Sequence, residues 1–127
     1  MNRNKMELNE YQKRAMTTCM DSCENFSYMM LNLVGEVGEF ASKVAKSIRK
    51  DKAIFGKNGD LSLCHQDSHF GLEMEEELKK EAGDILWQLS GLCEIMDWKL
   101  EDIAEMNLEK LASRAKRGVI SGDGDNR

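Results

Sequence analysis

Two pairs of acidic residues have the residue types and the spacing to hold a metal ion. Glu36 and Glu39 lie three residues apart in the segment LNLVGEVGEF, and Glu81 and Asp84 repeat that spacing in KKEAGDILWQL. Residues three apart on a helix share a face, so both carboxylates of a pair can reach one ion. If the two helices pack side by side, we expect all four carboxylates to converge on one cleft.

The residues around these acids are apolar, which predicts that the carboxylates border a buried face. They are Leu33, Val34, Val37 and Phe40 beside the first pair, and Ala82, Ile85 and Leu86 beside the second. Carboxylates held together repel, so either some stay protonated or a cation neutralises them. An oxygen-only ligand set selects hard cations such as Mg²⁺, Mn²⁺ or Ca²⁺, and Mg²⁺ is commonly shared with substrate phosphates. By spacing alone, a solvated acidic helix face remains an equal alternative.

Four helical patterns position these acids and predict an all-α, four-helix bundle-like fold. Apolar residues recur every three or four positions over roughly 9–24, 27–50, 73–97 and 100–116. The chain has 127 residues and no proline, which suits a single helical domain over the whole length. Asn9 and Ser27 are the predicted N-caps of the first two helices.

Glycines and an interruption mark the exceptions to this helical pattern. Gly35 and Gly38 each cost up to about 1 kcal/mol relative to alanine inside a helix, so we expect close approach of a ligand or backbone, or tight helix packing. Residues 51–72 break the periodicity and predict an irregular loop or a lid. The segment 118–127 is rich in glycine and aspartate and predicts a flexible tail.

The bulk composition argues against several classes of protein. A formal net charge of −5 disfavours nucleic-acid binding, and no apolar run is long enough to span a membrane. Without a signal-peptide pattern, the cytoplasm is the expected compartment, where cysteines stay reduced. Cys19 and Cys23 are therefore predicted to be small core residues. The cluster of Cys64, His65 and His69 lacks a convincing fourth ligand for zinc, and a solvated loop is the preferred interpretation.

The motifs, in this order, resemble those of the MazG-like nucleoside triphosphate pyrophosphohydrolases, a branch of the all-α NTP pyrophosphatase superfamily. The family pattern is a Glu-Glu-x-x-Glu helix followed by a Glu-x-x-Asp helix. The family's usual sequence around the last acidic residue resembles the segment GDILW. Its Asn-x-x-Lys-Leu-x-x-Arg helix and Gly-Asp-rich tail resemble the segment NLEKLASRAKRGVISGDGDNR. The resemblance covers roughly residues 26–50 and 75–127. Gly35 stands where the family often has its first Glu, which leaves four expected acids.

The resemblance implies a fold and a reaction. The fold is a MazG-type bundle, completed by dimerisation or tetramerisation of the chain. The reaction is Mg²⁺-dependent hydrolysis between the α- and β-phosphates of an NTP or dNTP, giving a nucleoside monophosphate and pyrophosphate. Glu36, Glu39, Glu81 and Asp84 are the implied metal ligands. Glu36 and Glu39 are also the predicted catalytic residues, with Glu39 suggested as the base.

Positive and polar residues on two helices are the predicted contacts for the substrate phosphates. Lys46 and Lys50 lie seven and eleven residues beyond Glu39, near the same side of that helix. Asn107 and Lys110 fall on the family's last-helix pattern, and Arg114 follows one turn later. For each lysine, a solvated surface position is the alternative interpretation.

Two other functions remain open at this point. A ferritin-like di-metal bundle would normally supply a Glu-x-x-His motif on its helices, and none occurs here. A non-catalytic helical module that binds nucleotide or protein is the second alternative, and the two complete acidic pairs argue against it.

Trp87 could stack on a base, but its apolar helix face favours a packing role.

Overall fold

The fold is a helical bundle with one small β-hairpin. The computed structural model describes residues 5–63 and 69–121, with the side chains of 69–71 excepted. The elements, in chain order, are α1 (Leu8–Met16), a short 3₁₀ helix (Asp21–Cys23), α2 (Phe26–Arg49), β1 (Ala53–Phe55), β2 (Leu61–Leu63), α3 (His69–Ile95) and α4 (Leu100–Arg117). The all-α prediction is confirmed. Among the described residues, no helix combines the length and the apolar character that a membrane span requires.

The long helices α2 and α3 form the main interface of the described chain, and two contacts fix how they align. Near one end, the Met29 side chain fills the space that a Cβ on Gly91 would occupy. Near the other end, the Ser47 Oγ lies 3.0 Å from the Met74 Sδ. Residues that rise along α2 therefore meet residues that fall along α3, so the two helices are antiparallel.

The start of α2 is set by Asn25 instead of the predicted Ser27. The Asn25 side-chain oxygen accepts a hydrogen bond of 2.9 Å from the backbone N–H of Tyr28. This bond satisfies one of the orphan donors of the first helical turn, as an N-cap should. Ser27 lies inside that first turn, so the prediction of Ser27 as the cap was wrong by two residues.

The first helix is shorter than the predicted span 9–24, because two threonines end it. The hydroxyls of Thr17 and Thr18 bond to the carbonyl oxygens of Arg14 and Ala15 at 2.6 and 2.7 Å. Such side-chain bonds compete with the helical ladder. α1 ends at Met16, and its N-cap is Glu7 instead of the predicted Asn9. The chain then makes a separate 3₁₀ turn that buries Cys23, while Cys19 stays half-buried.

The predicted irregular loop 51–72 contains an antiparallel hairpin. Ala53 pairs with Leu63 and Phe55 with Leu61, and the turn closes through a bond of 2.7 Å from the Gly56 N–H to the Asp60 carbonyl. Ala53 is fully buried, which anchors β1. α3 then begins at His69, four residues before the predicted start. Residues 64–68 lie outside the described residues, and with them Cys64 and His65 of the disfavoured zinc cluster.

A buried glutamine joins three helices at the end of the bundle. The Gln12 Nε2 donates to the Glu94 carboxylate at 3.0 Å and to the Trp98 carbonyl at 2.9 Å. Its Oε1 accepts a bond of 2.7 Å from the N–H of Leu100, the first residue of α4. Because all three bonds lie at the turn between α3 and α4, Gln12 fixes α1 against that turn.

Trp87 packs between α3 and α1, as its helix pattern predicted. Its indole Nε1 lies 3.1 Å from the Ala15 carbonyl oxygen and 3.0 Å from the Thr18 Oγ1. The indole N–H is thereby satisfied at the end of α1, which is the usual condition for a largely covered tryptophan. This placement supports the packing role over base stacking.

The two glycines of α2 do not serve the close packing that was one of their predicted roles. A Cβ on Gly38 would meet no atom within 4 Å, and one on Gly35 would meet only the Asn32 Oδ1, at 3.5 Å. The close approach of helices occurs instead at Gly91 on α3, where the Met29 side chain occupies the vacant space. Sequence reasoning missed this glycine because it lies within an otherwise regular apolar pattern.

Candidate metal centre and phosphate site

Three of the four predicted carboxylates meet between α2 and α3. Oxygen atoms of Glu36, Glu81 and Asp84 all lie within 4.8 Å of one another. Glu36 and Glu81 are half-buried, while Asp84 is exposed. The antiparallel alignment explains the meeting, because Met29 precedes Glu36 by seven residues and Gly91 follows Asp84 by seven. Glu36 and Asp84 therefore each lie two helical turns, about 10 Å, from the same packing contact.

The electrostatics of the cluster are clearest at Glu36. Burial raises the pKa of this carboxyl, and the negative charges of Asp84, Glu81 and Glu39 raise it further. A hydrogen bond from Asn32 acts in the opposite direction. The Asn32 Nδ2 lies 3.5 Å from the Glu36 Oε1 and 3.4 Å from the Tyr28 hydroxyl oxygen. The cluster thus carries unfavourable negative charge, which a bound cation would relieve.

Lys43 pairs with one member of the cluster. Its Nζ lies 2.8 Å from the Glu81 Oε1, and the two side chains are 34% and 12% exposed. The hydrogen bond to Glu81 raises the pKa of Lys43, with smaller contributions from the charges of Glu77 and Glu39. Sequence reasoning missed Lys43, although it lies seven residues after Glu36, on the same side of α2.

Glu39 is the predicted ligand that the structure leaves outside the three-way cluster. It is exposed and lies one turn beyond Glu36. Its charge still raises the pKa of Glu36 and of Lys43, so its carboxylate belongs to the same electrostatic environment. The expected convergence of four acids is therefore a cluster of three, with Glu39 at its solvent side.

The donor set fits a hard divalent cation. Two oxygens bound to one Mg²⁺ ion, at about 2.0–2.1 Å each, lie at most about 4 Å apart, and two bound to Ca²⁺, at about 2.3–2.6 Å each, at most about 5 Å. The three carboxylate oxygens lie within 4.8 Å of one another, which matches the wider limit, whereas sharing one Mg²⁺ ion requires the oxygens to move closer together. The ligands are all oxygen, and their mutual repulsion is the kind that a cation offsets. Glu36, Glu81 and Asp84 are therefore the described residues that could hold a metal ion.

A pocket of about 340 Å³ at the C-terminal end of α2 adjoins the acids. Four lysines line it: Lys43, Lys46, Lys50 and Lys52. The structure thus brings the predicted phosphate contacts Lys46 and Lys50 into one concavity. Lys43 and Lys52 were not predicted, although Lys43 precedes Lys46 and Lys50 by three and seven residues, which is the spacing of one helix face.

Comparison with known proteins identifies the family. A family model described as the MazG nucleotide pyrophosphohydrolase domain matches residues 24–119. The chain belongs to the MazG family. The match runs from just before α2 to just after α4, so it includes the acidic cluster and the lysine pocket.

A curated relative extends the similarity of this MazG chain beyond the matched domain. Gene 37 protein of Mycobacterium phage L5 is 38% identical over 130 residues, which cover 96% of this chain and 100% of that protein. No solved structure matches the chain.

The last helix of the MazG domain carries the remaining predicted phosphate contacts. α4 packs chiefly against α1, while the acids lie between α2 and α3. Asn107 and Lys110 are exposed on α4. Arg114 is only 5% exposed at the end of α4, and its role as a phosphate contact stays a prediction. The family motif predicts the phosphate-contact role of these three residues, but it does not indicate how α4 packs.

Proposed function

We propose that this protein is a Mg²⁺-dependent nucleoside triphosphate pyrophosphohydrolase. It would convert an NTP or dNTP into the nucleoside monophosphate and pyrophosphate. The observation that carries the proposal is the meeting of the Glu36, Glu81 and Asp84 oxygens within 4.8 Å, in a chain of the MazG family. A lysine pocket beside the acids supports a substrate with several phosphates.

Three of the four acids are the proposed metal ligands, and Glu39 has a separate proposed role. Glu36, Glu81 and Asp84 would hold the cation, and Mn²⁺ would satisfy the same oxygen donors. When bound, the ion supplies positive charge that offsets the charge developing on the phosphate oxygens. Asn32 would orient Glu36 through its contact with the Oε1.

Glu39 is the proposed general base. Its exposed carboxylate, one turn from Glu36, can accept a proton from a water that attacks the α-phosphorus. A bond forms between the water oxygen and the α-phosphorus, while the bond from that phosphorus to the bridging oxygen breaks. The bridging oxygen and its electron pair leave with pyrophosphate, and the proton stays on Glu39 until solvent removes it. Lys46 and Lys50 would contact the phosphates from the pocket, and Asn107, Lys110 and Arg114 stay proposed contacts from α4.

We also propose that the chain works as a homodimer or homotetramer. Apolar side chains form an exposed stripe on α2, with Leu31 75% exposed and Val34 67% exposed. Met30 and Val37 continue the stripe at helical spacing. Exposed apolar stripes of this kind commonly mark protein contacts. Sedimentation velocity should show an oligomer that Val34→Glu dissociates, and a monomeric wild-type chain would contradict the proposal.

An activity assay with defined products tests the proposed function. The protein is incubated with a panel of canonical and modified NTPs and dNTPs and Mg²⁺, and pyrophosphate, monophosphate and orthophosphate are quantified. We expect equal amounts of pyrophosphate and monophosphate from at least one substrate. Turnover of none of them, or orthophosphate as the first product, would overturn the proposal, and binding without turnover would favour the non-catalytic module.

Variants of the acids test their roles. Glu39→Gln and Asp84→Asn should each lower turnover by about two orders of magnitude or more while the fold is kept. Glu105→Gln, which changes an exposed acid on α4, is the matched control and should retain activity. If both site variants keep wild-type activity, these acids are not part of the mechanism.

A further inference from the structure

Gln88, on the same helix as two of the acids, has a buried polar atom that the fold does not use. Its side chain is only 3% exposed, and its Oε1 has no hydrogen-bond partner among the described residues. Leaving a buried acceptor unpaired costs folding free energy, so such an atom in a folded protein calls for an explanation. A substrate that supplies the missing donor is one explanation, and it depends on where Gln88 lies.

A second buried glutamine, Gln12, shows what a purely structural role requires. Its Nε2 donates to Glu94 and to the Trp98 carbonyl, and its Oε1 accepts from the Leu100 N–H. Both polar atoms of that amide are therefore paired within the protein. Gln88 is buried to a similar extent, at 3% exposed against 6% for Gln12, yet its oxygen holds no element in place. Helix packing alone does not account for an amide at this position.

The helical spacing places Gln88 next to the proposed metal ligands. It follows Asp84 by four residues and Glu81 by seven, so the three residues share one face of α3. Four residues correspond to about 6 Å along the helix axis. Long side chains on a helix lean toward its N-terminus, over the preceding turn. We infer from this lean that the Gln88 amide is directed back toward Asp84.

Asn32 lies opposite Gln88 on α2. Because α2 and α3 are antiparallel and Met29 meets Gly91, a step of three residues forward on α2 matches a step of three residues back on α3. These steps lead from Met29 to Asn32 and from Gly91 to Gln88. Two amide side chains therefore border the acidic cluster, at the end opposite to the lysine pocket.

The proposed function decides which part of a substrate reaches these amides. With the α-phosphate at the acids and the phosphates extending toward the lysine pocket, the nucleoside lies on the side of Asn32 and Gln88. An unpaired amide oxygen needs a hydrogen-bond donor. The donors nearest to the α-phosphate of a nucleotide are the hydroxyls of its sugar, whereas the amino groups of the base lie farther out. The 3′-hydroxyl is common to NTPs and dNTPs, so it is the donor that fits either substrate.

We propose that Gln88 recognises the 3′-hydroxyl of the substrate sugar, which donates a hydrogen bond to the Gln88 Oε1. The assignment rests on the proposed function and adds a specificity-determining residue to it. Three rotatable side-chain bonds let the amide turn toward the sugar while α3 stays in place. The contact satisfies the oxygen that the protein alone leaves unpaired, and it holds the α-phosphate against the acids.

Matched substrates with and without the 3′-hydroxyl test this assignment. The full-length wild type, Gln88→Met and the control Ser90→Ala are assayed with Mg²⁺ on the four dNTPs and the corresponding 2′,3′-dideoxynucleoside triphosphates, and on NTPs and their 3′-deoxy counterparts. We expect the wild type to prefer the substrate with the 3′-hydroxyl by about ten-fold or more in kcat/KM. Gln88→Met should lose most of this preference, because methionine has a similar length and shape but no amide.

Ser90 provides the matched control because its Oγ is equally buried but lies elsewhere. The residue is 0% exposed, and its Oγ also lacks a hydrogen-bond partner within the described part of the chain. A separation of two residues turns the helix by about 200°, so Ser90 lies on nearly the opposite side of α3 from Gln88. Ser90→Ala should therefore keep the wild-type preference for the 3′-hydroxyl.

Thermal unfolding in a chelator distinguishes recognition from a structural role. Replacing an unpaired buried amide by an apolar side chain of similar shape removes the cost of the unmade hydrogen bond. Gln88→Met should therefore melt at the same temperature as the wild type or at a higher one. A lower melting temperature together with an unchanged preference for the 3′-hydroxyl would show that Gln88 is a structural residue.

Calorimetric titration with deoxynucleoside and dideoxynucleoside monophosphates repeats the comparison without turnover. The wild type should bind the deoxynucleoside monophosphate more tightly, and Gln88→Met should bind the two with similar affinity. No preference in the wild type, or the same preference in the folded variant, would overturn the role of Gln88 even if triphosphates are hydrolysed. If no triphosphate is hydrolysed, the proposed function is overturned, and the titration alone decides whether Gln88 recognises the sugar.

Discussion

Replacing Gly91 by alanine should destabilise the protein, whereas the same change at Gly35 or Gly38 should not. A Cβ at position 91 would overlap the Met29 Sδ and lie 2.7 Å from its Cε. A Cβ at position 38 would meet nothing within 4 Å, and one at position 35 would make an ordinary contact. Met29 is 0% exposed, so its side chain cannot swing into solvent to make room.

The magnitude follows from two effects with opposite signs. Alanine in a helix interior is favoured over glycine by about 0.5–1 kcal/mol, and all three variants share this gain. Overpacking of a well-filled core costs about 1–3 kcal/mol, and only the Gly91 variant incurs it. The difference in unfolding free energy between Gly91→Ala and Gly38→Ala should therefore be about 1–3 kcal/mol. Gly35→Ala, one turn before Gly38 on α2, provides a second control because its Cβ would make only an ordinary contact.

Urea unfolding, followed by far-ultraviolet circular dichroism in the presence of a chelator, measures these differences. A second readout is the rise in melting temperature caused by Mg²⁺. Because the Gly91 contact aligns α2 with α3 two turns from the acids, this rise should be smaller in Gly91→Ala. A difference below about 0.5 kcal/mol between the Gly91 and Gly38 variants would refute the proposed helix contact.

Two further predictions concern the charges of the cluster. Because burial and neighbouring acids raise the folded-state pKa of Glu36, ionisation penalises the fold as pH rises from the ordinary carboxyl value of about 4.3 through the raised pKa. In a chelator, Glu36→Gln should therefore raise the melting temperature at neutral pH and change it little below pH 4, and a decrease at neutral pH would contradict this sign. Lys43→Met removes the cation that pairs with the Glu81 carboxylate, so Mg²⁺ affinity measured by calorimetry should rise about two- to five-fold. Weaker Mg²⁺ binding in this variant would show that Lys43 does not compete for Glu81.

The sequence was sufficient to predict the helices and the acidic pairs, because both follow from the helical period. Glu36 and Glu81 border apolar stripes, and that pattern is written in consecutive residues. The alignment of α2 with α3 cannot be read from consecutive residues in this way. It depends on the contact between Met29 and Gly91, which belong to separate helical patterns. The same limit explains why the position of Glu39 outside the three-acid cluster was not predicted. Its distance from the other three acids depends on the packing of two helices.

The end of α1, the hairpin and the burial of Gln12 were not predicted, because they depend on local hydrogen bonds and short elements that apolar periodicity does not reveal. The hydroxyls of Thr17 and Thr18 end α1 although the apolar spacing continues to Cys23. The strands of the hairpin are three residues each, too short to show an alternating pattern. Gln12 is polar and gave no indication of burial, yet its amide satisfies groups at the junction of α1, α3 and α4.

The position of bond cleavage is the most direct test of the central proposal. The protein is incubated with its preferred triphosphate and Mg²⁺ in water enriched in heavy oxygen, and the products are analysed by mass spectrometry. Attack on the α-phosphorus beside Glu36, Glu81 and Asp84 predicts heavy oxygen in the nucleoside monophosphate and none in the pyrophosphate. Label in the pyrophosphate, or labelled orthophosphate released from a diphosphate product, would contradict the proposed chemistry of this site.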